Sequence, residues 1–463
     1  MAARPLLSRQ PNARLDALIQ EARYSNAGLA RRVNMRGAKL GLDLRYDKTS
    51  VSRWVRGQRP RGKAAMLIAE VLSERLERTV SLEDIGMAFG RNPVNGTGLH
   101  FAPSIPQAVE NCLELWAADA DPRGPLVRTV VSVSSMIGPS RDWLIAPPDS
   151  QVTRGEGSRV VGADVEAVRA TQRALAELDH KFGAGHVRHI AVHYLNSFVS
   201  GLIQGAYTEA IGRGLFGAVA QFTKFTGDLA VDIDRPGLAQ RYYIQALRLS
   251  QMANDRRFGA HILADGMSRL APEFGHPQEV VQLALTARGG VRESATSRMR
   301  ALFHAAEARG HALMGDVVAC EAALSKALEA MEQIRGDTDP EWGIGFDRTA
   351  LAEEFAHCYR DLRLPEQSVR WAEEALAGQP DSRVRRRTID LLLLATAWVE
   401  LGETERACHT ATMAVELMEG LRSHLADRSL CDFRRRLVAR GGDAAVKEFN
   451  GRLSARGSVD AGR

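Results

Sequence analysis

From Leu15 to Leu453, apolar positions recur mostly at i, i+3, i+4 and i+7, the period of helices buried on one side. Four such stretches come early. Leu15, Leu18 and Ile19 set the first, which ends near Ser25; Ser25 or Asn26 caps a second carrying Leu29, Ala30 and Val33. From Arg36 to Tyr46, with Gly37 and Gly41, the pattern lapses over more residues than a tight turn needs. Asp47 then caps a third helix over Lys48–Arg56, closed by Gly57, and Lys63–Arg75 makes a fourth around Leu67, Ile68, Val71 and Leu72. Glycines and prolines crowd the next stretch and predict a linker over 87–106. Residues 107–158 read as a helical connector. Within it Ala108–Ala118 has the helical period, Leu126–Ile137 fits a strand or a buried helix with length and context on the helical side, and 147–157 is loop-like. From Asp164 the helical period runs nearly to the end. The predicted fold class is all-α: a small helical bundle over 12–86, then a long array over 159–455.

That array repeats itself. Ala395, Trp398, Gly402, Ala407 and Ala414 stand at offsets that Ala356, Tyr359, Arg363, Ser368 and Ala375 reproduce, and Ala308, His311, Gly315, Cys320 and Ala327 reproduce again. Small residues at such spacing let two antiparallel helices approach closely, while the aromatic fills the space behind them. The offsets are those of the tetratricopeptide repeat, so an α-solenoid of that type is expected. Its inner face would hold a peptide, protein or small-molecule effector, lined by the first helix of each pair, with Tyr359 and Asn196 as candidates. For Tyr359 and Trp398 a purely packing role is the favoured reading. Leu425–Val438 and Ala444–Leu453 read as the terminal cap.

Charge divides the chain. Residues 1–78 hold 17 Arg and Lys against 7 Asp and Glu, yet the whole chain carries only +5, so the rest is mildly acidic. A basic excess confined to one short segment is the footprint of a polyanion partner. The third helix suggests how that partner is met. Val51, Trp54 and Val55 fall on one face; Lys48, Thr49, Ser52, Arg53 and Arg56 point away. Small hydroxylated residues beside arginine suit a helix in a DNA major groove, where Arg forks onto guanine. Lys48, Thr49, Ser52 and Arg53 are the expected base contacts, and Arg56, Arg59, Arg61 and Lys63 the expected phosphate contacts. The competing reading is a basic bundle face that packs on an acidic partner.

The run SNAGLARRVN, then TSVSRWVRGQRPRG and IAEVLSERL, resembles the XRE or lambda-repressor type of helix-turn-helix. More narrowly it is similar to actinomycete regulators, of the NsdA kind, that join such a domain to tetratricopeptide-like repeats; Gly183–Arg188 also resembles a segment common there. The longer Arg36–Tyr46 stretch departs from the phage-type pattern. The resemblance implies a repressor-type transcription regulator of development or secondary metabolism, binding double-stranded DNA as a homodimer.

Other classes find little support. Gly57–Lys63 fits GxxxxGK, but Ala64 stands where a phosphate loop needs Ser or Thr, and no strand precedes it. His186, His189 and His193 share a helical face, yet Arg188 is interleaved and no zincin pattern accompanies them, so packing is expected rather than metal. No catalytic constellation is legible, and no enzyme activity, cofactor or metal is expected. Five scattered cysteines without CxxC read as buried hydrophobes in a reducing compartment. No apolar run is long enough to span a membrane and the opening residues lack a signal core, so a cytoplasmic location is expected. The alternative to a regulator is a repeat scaffold for protein partners, with the basic domain anchoring it to DNA nonspecifically.

Overall fold

In the computed structural model the described residues are 12–460, apart from 40–43, 57, 59, 61–63, 77–79, 81–84, 86–95, 122–123, 125, 127–128, 133, 271–274, 336–338 and 441. The fold is all-α, with two isolated bridges and no strand among these residues. Two units divide the chain, Met1–Gly96 and Thr97–Arg463.

The first unit packs α1 (Ala13–Glu21), α2 (Asn26–Lys39), α3 (Lys48–Val55) and α4 (Ala64–Leu76) around Leu15, Leu29, Val33, Val51 and Ile68. Helix α2 runs further than its apolar pattern suggests. It passes through Gly37, where a Cβ would lie 2.5 Å from a methyl of Leu44, so glycine there admits the segment that leads into α3.

The second unit begins inside the expected linker. Residues 98–102 are held by polar groups of a later helix: Gln245 Nε2 donates to the carbonyls of Gly98 (2.8 Å) and His100 (3.1 Å), and Arg248 Nε to that of Ala102 (2.7 Å). Breaker-rich sequence thus lies along a helix, its backbone acceptors satisfied by side chains far along the chain. Next come α5 (Ile105–Ala120) and α6 (Ser134–Ile145); the apolar Leu126–Ile137 stretch enters its helix only at Ser134. Helices α7 (Gly162–Phe182), α8 (Ala184–Tyr194), α9 (Glu209–Asp232), α10 (Pro236–Met252) and α11 (Arg256–His261) follow, α8 and α11 each running on through a π-turn. The array continues with α12 (Pro277–Val291), α13 (Ser297–Leu313), α14 (Val317–Glu332), α15 (Arg348–Asp361), α16 (Pro365–Gly378), α17 (Val384–Leu401) and α18 (Thr404–Leu417). Helices α19 (His424–Leu437) and α20 (Ala444–Asp460) end it.

The repeat logic is visible in the pairs α13/α14, α15/α16 and α17/α18. Ala308, Cys320 and Ala327, then Ala356, Ser368 and Ala375, then Ala395, Ala407 and Ala414, are all fully buried where paired helices touch. Between the helices of each pair the chain turns through a left-handed residue at the same offset: Gly315 (φ 75°), Arg363 (φ 58°) and Gly402 (φ 85°). Asp232, at the end of α9, ties the early helices to the late ones. Its carboxylate accepts from Ala184 N at the start of α8 (3.1 Å), from the Ser423 hydroxyl and from Arg385 (3.2 Å), which also reaches Asp179 at 2.5 Å. Gly185 N donates to Arg422 O at 3.0 Å beside this clasp.

Candidate nucleic-acid interface

Helix α3 is short and depends on its ends and one buried face. At its start Asp47 accepts from Ser50 N (2.8 Å) and from the Ser50 hydroxyl (2.7 Å), satisfying an otherwise orphan amide. The Ser50 hydroxyl first, and its amide second, hold the Asp47 carboxyl below its ordinary range, so this exposed acid serves as the cap. Val51 and Trp54 are buried, and the Trp54 ring meets Tyr46 edge-on at 4.9 Å. Burial of such side chains stabilises by roughly 1.5–3 kcal/mol each, and it fixes the rotation of the helix about its axis. Tyr46 is held in turn: Asn34 Nδ2 donates to Tyr46 O (2.8 Å) while Asn34 Oδ1 accepts from Tyr46 N (3.0 Å). At the far end Asn12 N donates to Val55 O at 2.7 Å.

The opposite side of α3 is polar. Lys48, Thr49, Arg53 and Arg56 are exposed, with Arg53 Nε donating back to Thr49 O at 3.4 Å. Ser52 differs from the expectation. It is half-buried, and its hydroxyl accepts from Asn26 Nδ2 at 3.1 Å, which couples the start of α2 to the middle of α3. The sequence left open whether Ser25 or Asn26 caps α2. Ser25 Oγ accepts from Gly28 N (3.1 Å), leaving Asn26 for Ser52. Arg59, Arg61 and Lys63 lie outside the described residues, as do Gly57 and Gly62 of the GxxxxGK run.

The second unit offers a different kind of site, a cavity of about 540 Å³ bounded chiefly by residues 264–269 after α11 and by α13, α15, α17 and α19. From α13 to α17 these walls are the first helices of their pairs. Neither Tyr359 nor Asn196 lines it: Tyr359 packs on the core, 6.4 Å from the Phe355 ring, and Asn196 lies in the π-turn after α8. Trp398 is buried beneath the Arg406 guanidinium. His186 packs edge-on to Phe182 at 6.1 Å, while His189 and His193 are exposed. Among the described residues no three His, Cys, Asp or Glu side chains gather as metal ligands would, and no helix is long and apolar enough to cross a membrane.

Compared with known families, residues 15–88 match the model of the SP15 N-terminal domain, a stretch running from within α1 past the end of α4. No curated protein matches the chain.

Proposed function

We propose that this protein is a sequence-specific transcription regulator that binds double-stranded DNA through α3 and carries an effector-binding helical-repeat unit. The observation behind this reading is that Lys48, Thr49, Arg53 and Arg56 stand exposed on a helix whose other face is locked by Val51 and Trp54. A rigid basic face of this size fits the major groove, with Lys48, Thr49 and Arg53 reading base edges and Arg56, Arg59, Arg61 and Lys63 gripping phosphates. Ser52 acts chiefly by holding α3 to α2. A homodimer would place two such helices about 34 Å apart, one DNA turn, on a palindromic site. The resemblance to actinomycete regulators points to genes of development or secondary metabolism.

The test begins with genome-wide occupancy of the tagged chain, and a motif with dyad symmetry is expected. On that site Arg53→Ala weakens binding by about 1–3 kcal/mol in an electrophoretic shift assay. Unchanged affinity would remove α3 from the contact. Salt titration separates regulator from scaffold, because a nonspecific anchor loses the preference for its site over random DNA at physiological salt.

A further inference from the structure

The solvent side of α8 carries almost no charge. From residue 183 to residue 208 the chain holds one side chain among Asp, Glu, Lys and Arg, against 25% for the whole sequence. That one, Arg188, turns back to the Asp119 carboxylate of α5, which also accepts from the Tyr242 hydroxyl at 2.7 Å. The side chains left exposed on α8 and its π-turn are His189, Ile190, His193, Ser197 and Phe198, with Ile190 43% and Phe198 42% exposed. Phe182 meets His186 edge-on at 6.1 Å and extends the patch onto α7, where Leu178 is exposed one turn earlier. Lys181, 5.3 Å over the Phe182 ring, stands at the rim.

This face is held from behind. Phe198 stacks on Tyr194 at 5.1 Å and Tyr194 on buried Phe222 of α9 at 5.3 Å, so an aromatic column fixes the exposed ring and ordering it on association costs little. Covering such a surface removes apolar area from water without stripping a solvated charge, as at the cores of protein interfaces, which are depleted of Lys, Glu and Asp. The missing charge also selects the partner. A strongly acidic or basic surface finds no counter-charge here. In a two-fold contact the same patch meets itself, and like charges facing each other would repel; a patch without fixed charge escapes that penalty.

We propose that the α8 face, with the end of α7, is the contact between two copies of this chain. The inference rests on the proposed function for its homodimer and gives that homodimer a surface. Its test uses DNA-free protein, so a failure here leaves the α3 contact standing. Conversely, unchanged DNA binding by Arg53→Ala would leave this contact standing.

The experiment is sedimentation equilibrium of the full chain over a range of concentrations. The wild type should form dimers, and raising the salt should leave them intact because no ion pairs hold them. Ile190→Asp sets two carboxylates into the contact and should weaken dimerisation more than about tenfold, roughly 1.4 kcal/mol. Should that variant fail to fold, His193→Asp carries the test, since His193 is exposed. Val318→Asp, on α14 and 80% exposed, replaces an apolar side chain outside the patch and should leave the dimer unchanged. A monomeric wild type, a dimer that dissociates in salt, or dimerisation unaltered in the folded patch variants would overturn the proposal. Equal weakening by Val318→Asp would overturn it too.

Discussion

Replacing Asn34 by Ala tests whether α3 is held in place from α2. The Asn34 amide spans the backbone of Tyr46 with two hydrogen bonds of 2.8 and 3.0 Å, one in each direction, next to the Asp47 cap. Each such bond contributes about 0.5–1.5 kcal/mol net, and both Asn34 and Tyr46 are half-buried, so water replaces the lost partners incompletely. Together they are worth about 1–3 kcal/mol, some 5- to 150-fold in the equilibrium for local opening of α3. Hydrogen exchange of the full chain, read by mass spectrometry, should show α3 amides losing that much protection while α13 and α15 keep theirs. Asn34→Asp should do no better than Ala, because a carboxylate keeps the acceptor but sets a second oxygen against the Tyr46 carbonyl. Wild-type protection of α3 in Asn34→Ala would refute the reasoning, since the packing of Val51 and Trp54 would then suffice alone.

Three further outcomes are expected from the second unit. Arg363 is exposed and left-handed at φ 58°, where the equivalent turns carry glycine, so Arg363→Gly should stabilise by about 0.5–1 kcal/mol in urea denaturation; no gain would mean that the turn is not strained. Arg385→Ala leaves Asp179 and Asp232 buried without their shared cation and should cost about 3–5 kcal/mol; a small loss would show the clasp to be open in solution. Burial pushes the His261 imidazole down to about 4 against the pull of Asp265, so the native state favours its neutral form. Its contribution is whole above the ordinary value of 6.5 and is lost as pH falls toward 4, and His261→Gln should flatten the stability profile in that window. A variant profile parallel to the wild type would assign the acid sensitivity elsewhere.

Local signals proved legible and distant pairings did not. The α3 boundaries follow from Asp47 and the Val51/Trp54 spacing, because capping and amphipathic period are properties of neighbours in sequence. The repeat offsets were readable for the same reason: Gly315, Arg363 and Gly402 mark turns that each pair of helices needs. Within the expected 87–106 linker the contacts of residues 98–102 were not legible, because composition records the lack of helical propensity and not the partners that Gln245 and Arg248 supply to that backbone. Ser52 looked like a groove-facing residue until α2 placed Asn26 beside it. An inner face was expected with Tyr359 and Asn196 as candidate lining residues; neither lines the cavity, whose charged lining is arginine, aspartate and glutamate. No period announces an ion pair such as that of Arg269 with Glu354 of α15.

Arginine serves two purposes in this chain, and the difference bears on the proposed contact with DNA. In the second unit several guanidiniums removed from water are matched by acids: buried Arg248 with Asp149 at 2.7 Å, half-buried Arg309 with Asp361 at 3.0 Å, and half-buried Arg298 with Asp339 at 2.7 Å. Each such carboxylate offsets the cost of taking the cation out of water, and the pairs contribute nothing to the net charge. On α3 no salt bridge among the described residues holds Lys48, Arg53 or Arg56, and the nearest acid, Asp47, is committed to the helix cap. A basic face neutralised by its own carboxylates would gain little from a phosphate, having already exchanged water for a partner. A solvated, unmatched face still has that gain to make, with release of counterions from the duplex adding to it. The exposed cations of α3, more than the arginine content of the chain, therefore carry the functional reading, because no salt bridge among the described residues holds Lys48, Arg53 or Arg56.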